Sequence, residues 1–134
     1  MIHPMRTSTH TCALSIAVLM ATSTAAWPNP LGLWRTQPDQ NGQVANVSAQ
    51  PCGNSICGTI TAVFNQQGQP VAAPTVGTRV FWNMVPERGA YQGRAFVPAH
   101  NREYAGRLRV EGDRMTVSGC LGPVCQSQVW TRLR

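Results

Sequence analysis

Short runs of alternating apolar and polar residues, separated by glycine, proline and asparagine, constrain the fold of this chain most strongly. The clearest run is Tyr104–Glu111, in which every second residue from Tyr104 to Val110 lies on one face. Gly112 and Asp113 follow as a two-residue hairpin turn, with glycine at the position that needs a positive φ. No comparable stretch after residue 26 has the 3.6-residue apolar period of a helix, so the pattern predicts an all-β chain.

Eight such runs fit the sequence, and all but one of their connections are short. Eight antiparallel strands in chain order favour an up-and-down β-barrel, which has no free sheet edge, and a β-sandwich is the alternative. In the last run, Val129, Thr131 and Leu133 share one face. The predicted strands cover residues 31–36, 43–49, 58–64, 78–85, 90–97, 104–111, 114–120 and 126–134.

Residues 1–26 have the pattern of a secretory signal peptide. Arg6 precedes a ten-residue apolar run at 12–21, and the small residues Thr24 and Ala26 precede the expected cleavage site. A membrane span is the alternative, but it needs about 20 apolar residues. We therefore expect export to the periplasm or the cell exterior, and one β-barrel domain over residues 27–134 without a transmembrane segment.

The predicted mature chain is basic, and arginine supplies all of its formal positive charge. The full chain has a net charge of +6, and removal of residues 1–26 leaves ten arginines, five acids and a net charge of +5. A chain of this size is too short for a Rossmann domain or a (β/α)₈ barrel. Nucleic acid is not an expected partner, because an exported protein rarely meets it and no aromatic residues are interleaved with these arginines.

Four cysteines remain after the predicted cleavage, as two C-x₄-C pairs. Exported cysteines normally form disulfides, and a four-thiolate zinc site is the alternative. In an up-and-down barrel the turns alternate between the two ends, so the second turn, at 51–56, and the seventh, at 121–124, lie at opposite ends. Bridged Cα atoms lie within about 7 Å of each other. The barrel therefore predicts the disulfides Cys52–Cys57 and Cys120–Cys125.

The ends of the chain resemble those of calycin (lipocalin-like) barrels. Gly32-Leu33-Trp34 lies on the first predicted strand and Arg132 on the last, as in calycins, where the arginine packs on the tryptophan. GLWRT at 32–36, PCGNSICGTI at 51–60 and the segment 103–133 resemble DUF2147, a family of small exported bacterial proteins. This resemblance implies a lipocalin-like barrel without an established activity. The chain departs from the family at 65–90, which is short, and at Tyr91, where tryptophan is usual.

An enzymatic site is not expected. The mature chain has a single histidine, His100, in the polar loop Pro98–Arg102, where a solvent-exposed role is more common than a catalytic one. Its five acids form no paired motif, and its glycines form no phosphate-binding loop. We therefore expect no catalytic residue, no cofactor and no metal site.

Binding of a small apolar or amphipathic ligand inside the barrel is the first functional hypothesis. An eight-stranded barrel is either filled by its own side chains or holds one small ligand. Glycine and alanine on the inward faces of 90–97 and 104–111 would leave space, and tyrosines would supply polar groups. A completely filled core is the alternative. The candidate ligand-binding residues are Trp82, Tyr91, Tyr104 and Leu108.

An interaction module that binds an anionic surface or a protein partner is the second hypothesis. If Val97 lies opposite Tyr104, then Arg94 lies opposite Arg107 on the outer face, and like charges in that position repel each other. A counter-anion would relieve this repulsion, whereas a solvated face partly neutralised by glutamates is the alternative. The candidate anion-binding residues are Arg94, Arg107, Arg109 and Arg114.

Overall fold

In a computed structural model that describes residues 2–7, 9, 11–21 and 28–134, the regular structure lies between Gly32 and Arg132. The predicted cleavage site after Ala26 lies outside the described residues. Within them, no helix is both long enough and apolar enough to cross a membrane. The elements are β1 (Gly32–Arg35), β2 (Val44–Cys52), β3 (Ser55–Phe64), β4 (Pro70–Val71), β5 (Arg79–Glu87), β6 (Ala90–Val97), a 3₁₀ turn (Pro98–His100), β7 (Arg102–Glu111), β8 (Arg114–Leu121) and β9 (Val124–Arg132).

Eight of these strands form a closed antiparallel barrel, as predicted. Each barrel strand pairs with the next one along the chain, β5 following β3, and β9 pairs with β1 to complete the ring. The two-residue strand β4 stands outside the ring, because it pairs only with Val63 and Phe64 at the end of β3. The barrel is therefore of the up-and-down type, with turns that alternate between two ends.

One end of the barrel, which we call the closed end, carries the β2–β3, β5–β6 and β7–β8 turns. The β7–β8 turn has Glu111 opposite Arg114 and a φ of 59° at Gly112, which is the positive angle that the sequence predicts there. The other end, which we call the open end, carries the β1–β2, β3–β5, β6–β7 and β8–β9 connections.

The two disulfides join Cys52 to Cys57 and Cys120 to Cys125, as the turn alternation predicts. The first lies beside the β2–β3 turn at the closed end, and the second links β8 to β9 at the open end. Their Cα–Cα distances are 5.8 Å and 4.1 Å. Because the pairs lie at opposite ends, a four-thiolate zinc site is excluded.

A stack of Arg132 on Trp34 closes the barrel at its closed end. The two residues are cross-strand partners, and the guanidinium carbon lies 4.3 Å from the centroid of the indole ring. Arg132 also donates to the carbonyls of Leu31 at 2.7 Å and Asn29 at 3.1 Å, and the indole N–H of Trp34 donates to the carbonyl of Pro30 at 2.8 Å. The segment before β1 is thereby fastened to the closed end.

β1 begins with Gly32 because the C-terminal residues pass too close to its Cα to leave room for a side chain. Its φ is 131°, and a Cβ there would overlap the carbonyl oxygen of Arg134 and lie 3.1 Å from the Arg132 guanidinium. The glycine in the Gly-x-Trp motif is therefore a steric requirement of the closure.

The barrel core runs from the closed end through the middle of the barrel, and beside β3 it reaches the open end at the buried Val63. Trp34, Phe81, Met84, Leu108 and Met115 are completely buried. On β9 the inward face is that of Trp130, which pairs with Met115, so Val129, Thr131 and Leu133 form the exposed outer face. The pairing of Arg132 with Trp34 sets this orientation for the whole strand.

Replacement of Trp34 by alanine tests the closure. We expect the free energy of unfolding to fall by about 3–5 kcal/mol, because the indole is completely buried and its loss leaves a cavity. Trp82→Ala is the matched control, and its cost should be clearly smaller because Trp82 is only half-buried. Urea denaturation followed by circular dichroism measures both values, and equal losses would contradict the assignment of Trp34 as the closure residue.

Removal of the disulfides tests their independence. Substitution of both Cys120 and Cys125 by serine should cost about 2 kcal/mol, because each disulfide closes only a short loop in the unfolded chain. The same change at Cys52 and Cys57 should cost a similar amount. Since the two pairs lie at opposite ends, the losses should add within about 0.5 kcal/mol in the fourfold variant. A clearly non-additive loss in thermal or urea unfolding would show that the two ends are coupled.

Candidate binding site

The middle of the barrel has no room for a ligand, because side chains occupy the space that its inward glycines leave. The Phe81 ring lies directly where a Cβ on Gly58 would be, and the terminal methyl of Met84 lies 2.7 Å from the Cβ position of Gly106. Among the described residues, the alternative of a filled core therefore holds for the middle of the barrel and the closed end.

Gly93 has a different role from the one the sequence suggests. A Cβ there would lie 2.5–2.7 Å from the backbone of Trp82 and Asn83. The β5–β6 register shifts between Trp82 and Val85, and Asn83 has a φ of 54°, so the backbone of β5 bulges over the glycine. The space above Gly93 is therefore taken by main chain.

The four predicted ligand-binding residues do not form one site. Trp82 pairs with Arg94 and lies on the outer face, because the bulge at Asn83 lets both Phe81 and Met84 point inwards. Leu108 is completely buried in the core, and Tyr91 is its half-buried cross-strand partner towards the closed end. Of the four, only Tyr104 lies at the open end.

The inward face of the β8–β9 hairpin is exposed at the open end. Trp130 is 6% exposed and is the last residue of the packed core on β9. Towards the β8–β9 turn, the same face carries Gln128, Gln126 and Val124, which are all exposed, and Val124 is 68% exposed. Their partners on β8 are Val117, Gly119 and Leu121. The hairpin therefore forms one wall of an open concave surface above Trp130.

Tyr104 forms the adjoining wall of this surface. Its Cβ lies 3.3 Å from the position that a Cβ on Gly119 would take, so the absence of a side chain at 119 allows the tyrosine to lie over β8. The Tyr104 hydroxyl is 2.8 Å from Nδ1 of His100, which lies in the 3₁₀ turn and is exposed. The polar end of the tyrosine is thus directed to the rim.

We call this surface the open-end cup and define it by six residues. Its floor is apolar, with the Trp130 ring 6.1 Å from that of Phe81, and its polar groups are the Tyr104 hydroxyl and two side-chain amides. Gln128 accepts a 3.0 Å hydrogen bond from the indole N–H of Trp130. An apolar floor with a few polar groups at the rim is suited to an amphipathic molecule. The residues are Tyr104, Val117, Gly119, Gln126, Gln128 and Trp130.

The predicted juxtaposition of Arg94 and Arg107 is wrong by two residues. Val97 pairs with Arg102 rather than with Tyr104, so Arg94 lies opposite Ala105, and Arg107 lies opposite Gln92. The 3₁₀ turn and Asn101, with a φ of 46°, reverse the chain within 98–101, which lengthens β7 at its start.

The outer arginine face is partly neutralised. Arg94 forms a 2.9 Å ion pair with Glu103, and the Gln92 amide can bridge Arg107, at 3.2 Å, and Glu87, at 2.8 Å. Arg109 and Arg114 are exposed on the same face, and Arg114 lies opposite Glu111. Glutamates therefore lie near three of these four arginines, Arg94, Arg107 and Arg114. This arrangement is the one expected of a solvated, partly neutralised outer face.

A surface depression also lies on the outside of β2 and β3. It is an open groove of about 280 Å³ with Arg79 as its one charged residue. A second open depression, of about 410 Å³, lies beside Gly32 and Arg134 at the closed end. Neither depression is enclosed, and neither is lined mainly by apolar side chains. The groove is lined by Ser48, Gln50, Pro51, Cys52, Cys57, Thr59, Thr61 and Arg79.

Of the six cup residues, only Tyr104 was predicted from the sequence, and Val117, Gly119, Gln126, Gln128 and Trp130 were not. A signal for them exists, because a disulfide between Cys120 and Cys125 implies a register in which Gly119 faces Gln126. That register places the even-numbered residues of β9 on the inward face. The alternation of residues alone groups Val129, Thr131 and Leu133 on one face of β9 and does not say which face points inwards.

Comparisons with known proteins agree with the fold. A family model described as an uncharacterized protein conserved in bacteria (DUF2147) matches residues 32–132. A solved structure from Helicobacter pylori, of a protein described as belonging to the lipocalin family, superimposes with a TM-score of 0.62 and 13% identity over 83% of this chain and 85% of that one. A search of curated proteins finds no match. At this identity, the structural likeness shows the lipocalin-like fold alone.

Two glycine substitutions test the distinction between filled core and open cup. Gly58→Ala should destabilise the protein by roughly 1–3 kcal/mol, because the new methyl overlaps the buried Phe81 ring. Gly119→Ala should cost clearly less, because the new methyl lies 3.3 Å from the Cβ of Tyr104, which is a tight contact without the overlap found at Gly58. Thermal unfolding measures both, and a tolerated Gly58→Ala would indicate unfilled space in the core.

Proposed function

The chain belongs to the bacterial family DUF2147, and from that premise we propose that it is an exported, non-enzymatic protein that binds a small amphipathic ligand in the open-end cup. The observation that carries this proposal is the exposed inward face of β8–β9 above Trp130. In a lipocalin-like barrel the inward face is normally either packed or occupied. Here it is apolar at its base, polar along its sides and accessible.

The chemistry of the cup favours one class of ligand. Trp130, Val117 and the ring of Tyr104 offer an apolar surface for an aromatic group or the end of an acyl chain. Gln126, Gln128 and the Tyr104 hydroxyl each can donate and accept hydrogen bonds, and the cup contains no acidic residue, so they suit a neutral or an anionic polar head group. Because Phe81 and Trp130 fill the space below, only part of the ligand would enter, and we expect modest affinity.

Export is supported by the cysteines and by the N-terminal pattern. Both cysteine pairs are oxidised, which is typical of proteins that fold outside the reducing cytosol. Residues 1–26 supply the charge, the apolar run and the small residues of a secretory signal peptide. We propose the periplasm or the cell exterior as the site of action.

A binding role also fits the arrangement of the titratable groups. His100 contacts the hydroxyl of Tyr104, and in the described part of the chain no carboxylate hydrogen-bonds to its ring. A histidine that acts as a catalytic base normally has such a partner to orient it. Among the described residues, no three histidine, cysteine or acidic side chains come together as a metal site would require. The ion pair of Arg94 makes the outer arginine face a weaker candidate than the cup.

Adjacent residues of β9 provide the test. Gln128→Ala removes an inward polar group of the cup, whereas Ser127→Ala, the matched control, alters the outward face one residue away. With anilinonaphthalene sulfonate and lauric acid as probes, we expect Gln128→Ala to weaken binding roughly 2- to 10-fold, the value of one hydrogen bond. Ser127→Ala should leave the affinity unchanged.

Fluorescence titration and thermal-shift measurements give these affinities. A ligand site in the cup would be contradicted if neither probe bound at millimolar concentration. Equal affinities of Gln128→Ala and Ser127→Ala for the probes would contradict it as well.

A further inference from the structure

The first half of β9 has a strand partner on one side only. β1 is four residues long and reaches β9 at two positions, where Trp34 pairs with Arg132 and Arg35 with Thr131. β9 is nine residues long and begins at Val124. The segment Val124–Gln128 therefore pairs with β8 but has no strand beside it in the direction of β1.

The Cys120–Cys125 pair shows which backbone groups face this open side. Its Cα–Cα distance of 4.1 Å is typical of a non-hydrogen-bonded pair, so the N–H and C=O of Cys125 point away from β8. Ser127, two residues further, points the same way. The N–H of Val129, the next in this series, donates to the Gln37 side chain at 3.2 Å, which confirms the direction.

The backbone groups of Cys125 and Ser127 are accessible. In the described part of the chain, neither N–H donates a hydrogen bond towards the β1 side, and both residues are exposed. Edge strands are normally protected by charged residues, prolines or bulges. No charged residue occurs from Leu121 to Trp130, Pro123 lies in the turn before β9 and not in the strand, and β9 pairs with β8 without a bulge.

We propose that Val124–Gln128 of β9, which we call the open edge, binds an extended peptide segment by β-strand addition. Two unpaired N–H groups and two unpaired carbonyls on a straight strand are complementary to the backbone of another strand. The open edge is about 16 Å long at about 3.3 Å per residue, which matches a segment of five residues. The disulfide ties β9 to β8 and holds the edge extended before binding.

The side chains around the open edge define the partner. Alternate residues of an added strand would point to the same side as Val124, Gln126 and Gln128, over the open-end cup, and their neighbours would lie beside Cys125 and Ser127 on the outer face. Apolar residues suit the first set, and neutral or acidic residues suit the second, because the chain is basic. A five-residue seam is far smaller than the 20–30 residues a side of a stable protein interface, which favours a peptide over a second copy.

A proline substitution tests the proposal with a matched control. Ser127→Pro removes an N–H that points away from β8, so the backbone hydrogen bonds between β8 and β9 remain, and proline is tolerated as on other strand edges. Ser127→Ala loses the same hydroxyl but keeps the N–H. The probes are fluorescein-labelled eight-residue peptides in which valine, leucine, phenylalanine or tyrosine alternates with threonine or glutamate.

Fluorescence anisotropy should show binding to the wild type and to Ser127→Ala, and at least tenfold weaker binding to Ser127→Pro. In the wild type, saturation with peptide should slow amide hydrogen exchange at Cys125 and Ser127 at least tenfold. This second measurement does not depend on the folding of any variant. Unchanged binding of anilinonaphthalene sulfonate by Ser127→Pro would distinguish loss of the open edge from loss of the cup.

Four results would overturn the proposal. The first is that no probe peptide binds the wild type at millimolar concentration. The second is that peptide binding leaves the amide exchange of Cys125 and Ser127 unchanged. The third is that a folded Ser127→Pro binds the peptide as well as Ser127→Ala does. The fourth is that, without peptide, the protection of these amides rises with protein concentration and sedimentation shows a dimer, which would assign the open edge to a second copy.

Discussion

The stack of Arg132 on Trp34 is the interaction on which the barrel depends. β1 and β9 are cross-strand partners at two positions, and just beyond β9 the backbone of Leu33 bonds to Leu133 and Arg134, so the ladder that closes the ring is short. The guanidinium adds a cation–π contact at 4.3 Å and two hydrogen bonds to carbonyls of the segment before β1. One side chain thus joins the last strand, the first strand and the N-terminal approach.

The shortness of β1 separates the molecule into a packed part and an accessible part. Where β1 lies beside β9, the interior is filled by Trp34, Met115 and their neighbours. Beyond β1, the segment Val124–Gln128 of β9 has no strand on its β1 side, and its inward face is exposed. The open-end cup and the open edge are therefore two consequences of one feature, a first strand that ends after four residues.

Local patterns predicted the strands and the turns well, and the contents of the barrel less well. The alternation of Tyr104–Glu111 gave the correct inward face, because an unbroken strand with a two-residue turn leaves no freedom of phase. Trp82 was misplaced because a bulge at Asn83 adds one residue to β5, and alternation cannot reveal it. The Arg94 register failed because the length of the β6–β7 turn depends on the left-handed conformation of Asn101.

By itself, the sequence determined the all-β class, the eight barrel strands and both disulfides, because these depend on strand period, turn residues and cysteine spacing within short segments. The closure pair of Trp34 and Arg132 was identified through the resemblance of the chain ends to calycin barrels. Only the tertiary structure decided that Phe81 and Met84 fill the space left by Gly58 and Gly106. It also decided that β9 extends beyond the end of β1. Both are matters of how distant strands meet, and the position and length of each strand depend on bulges and neighbours that its own residues do not encode.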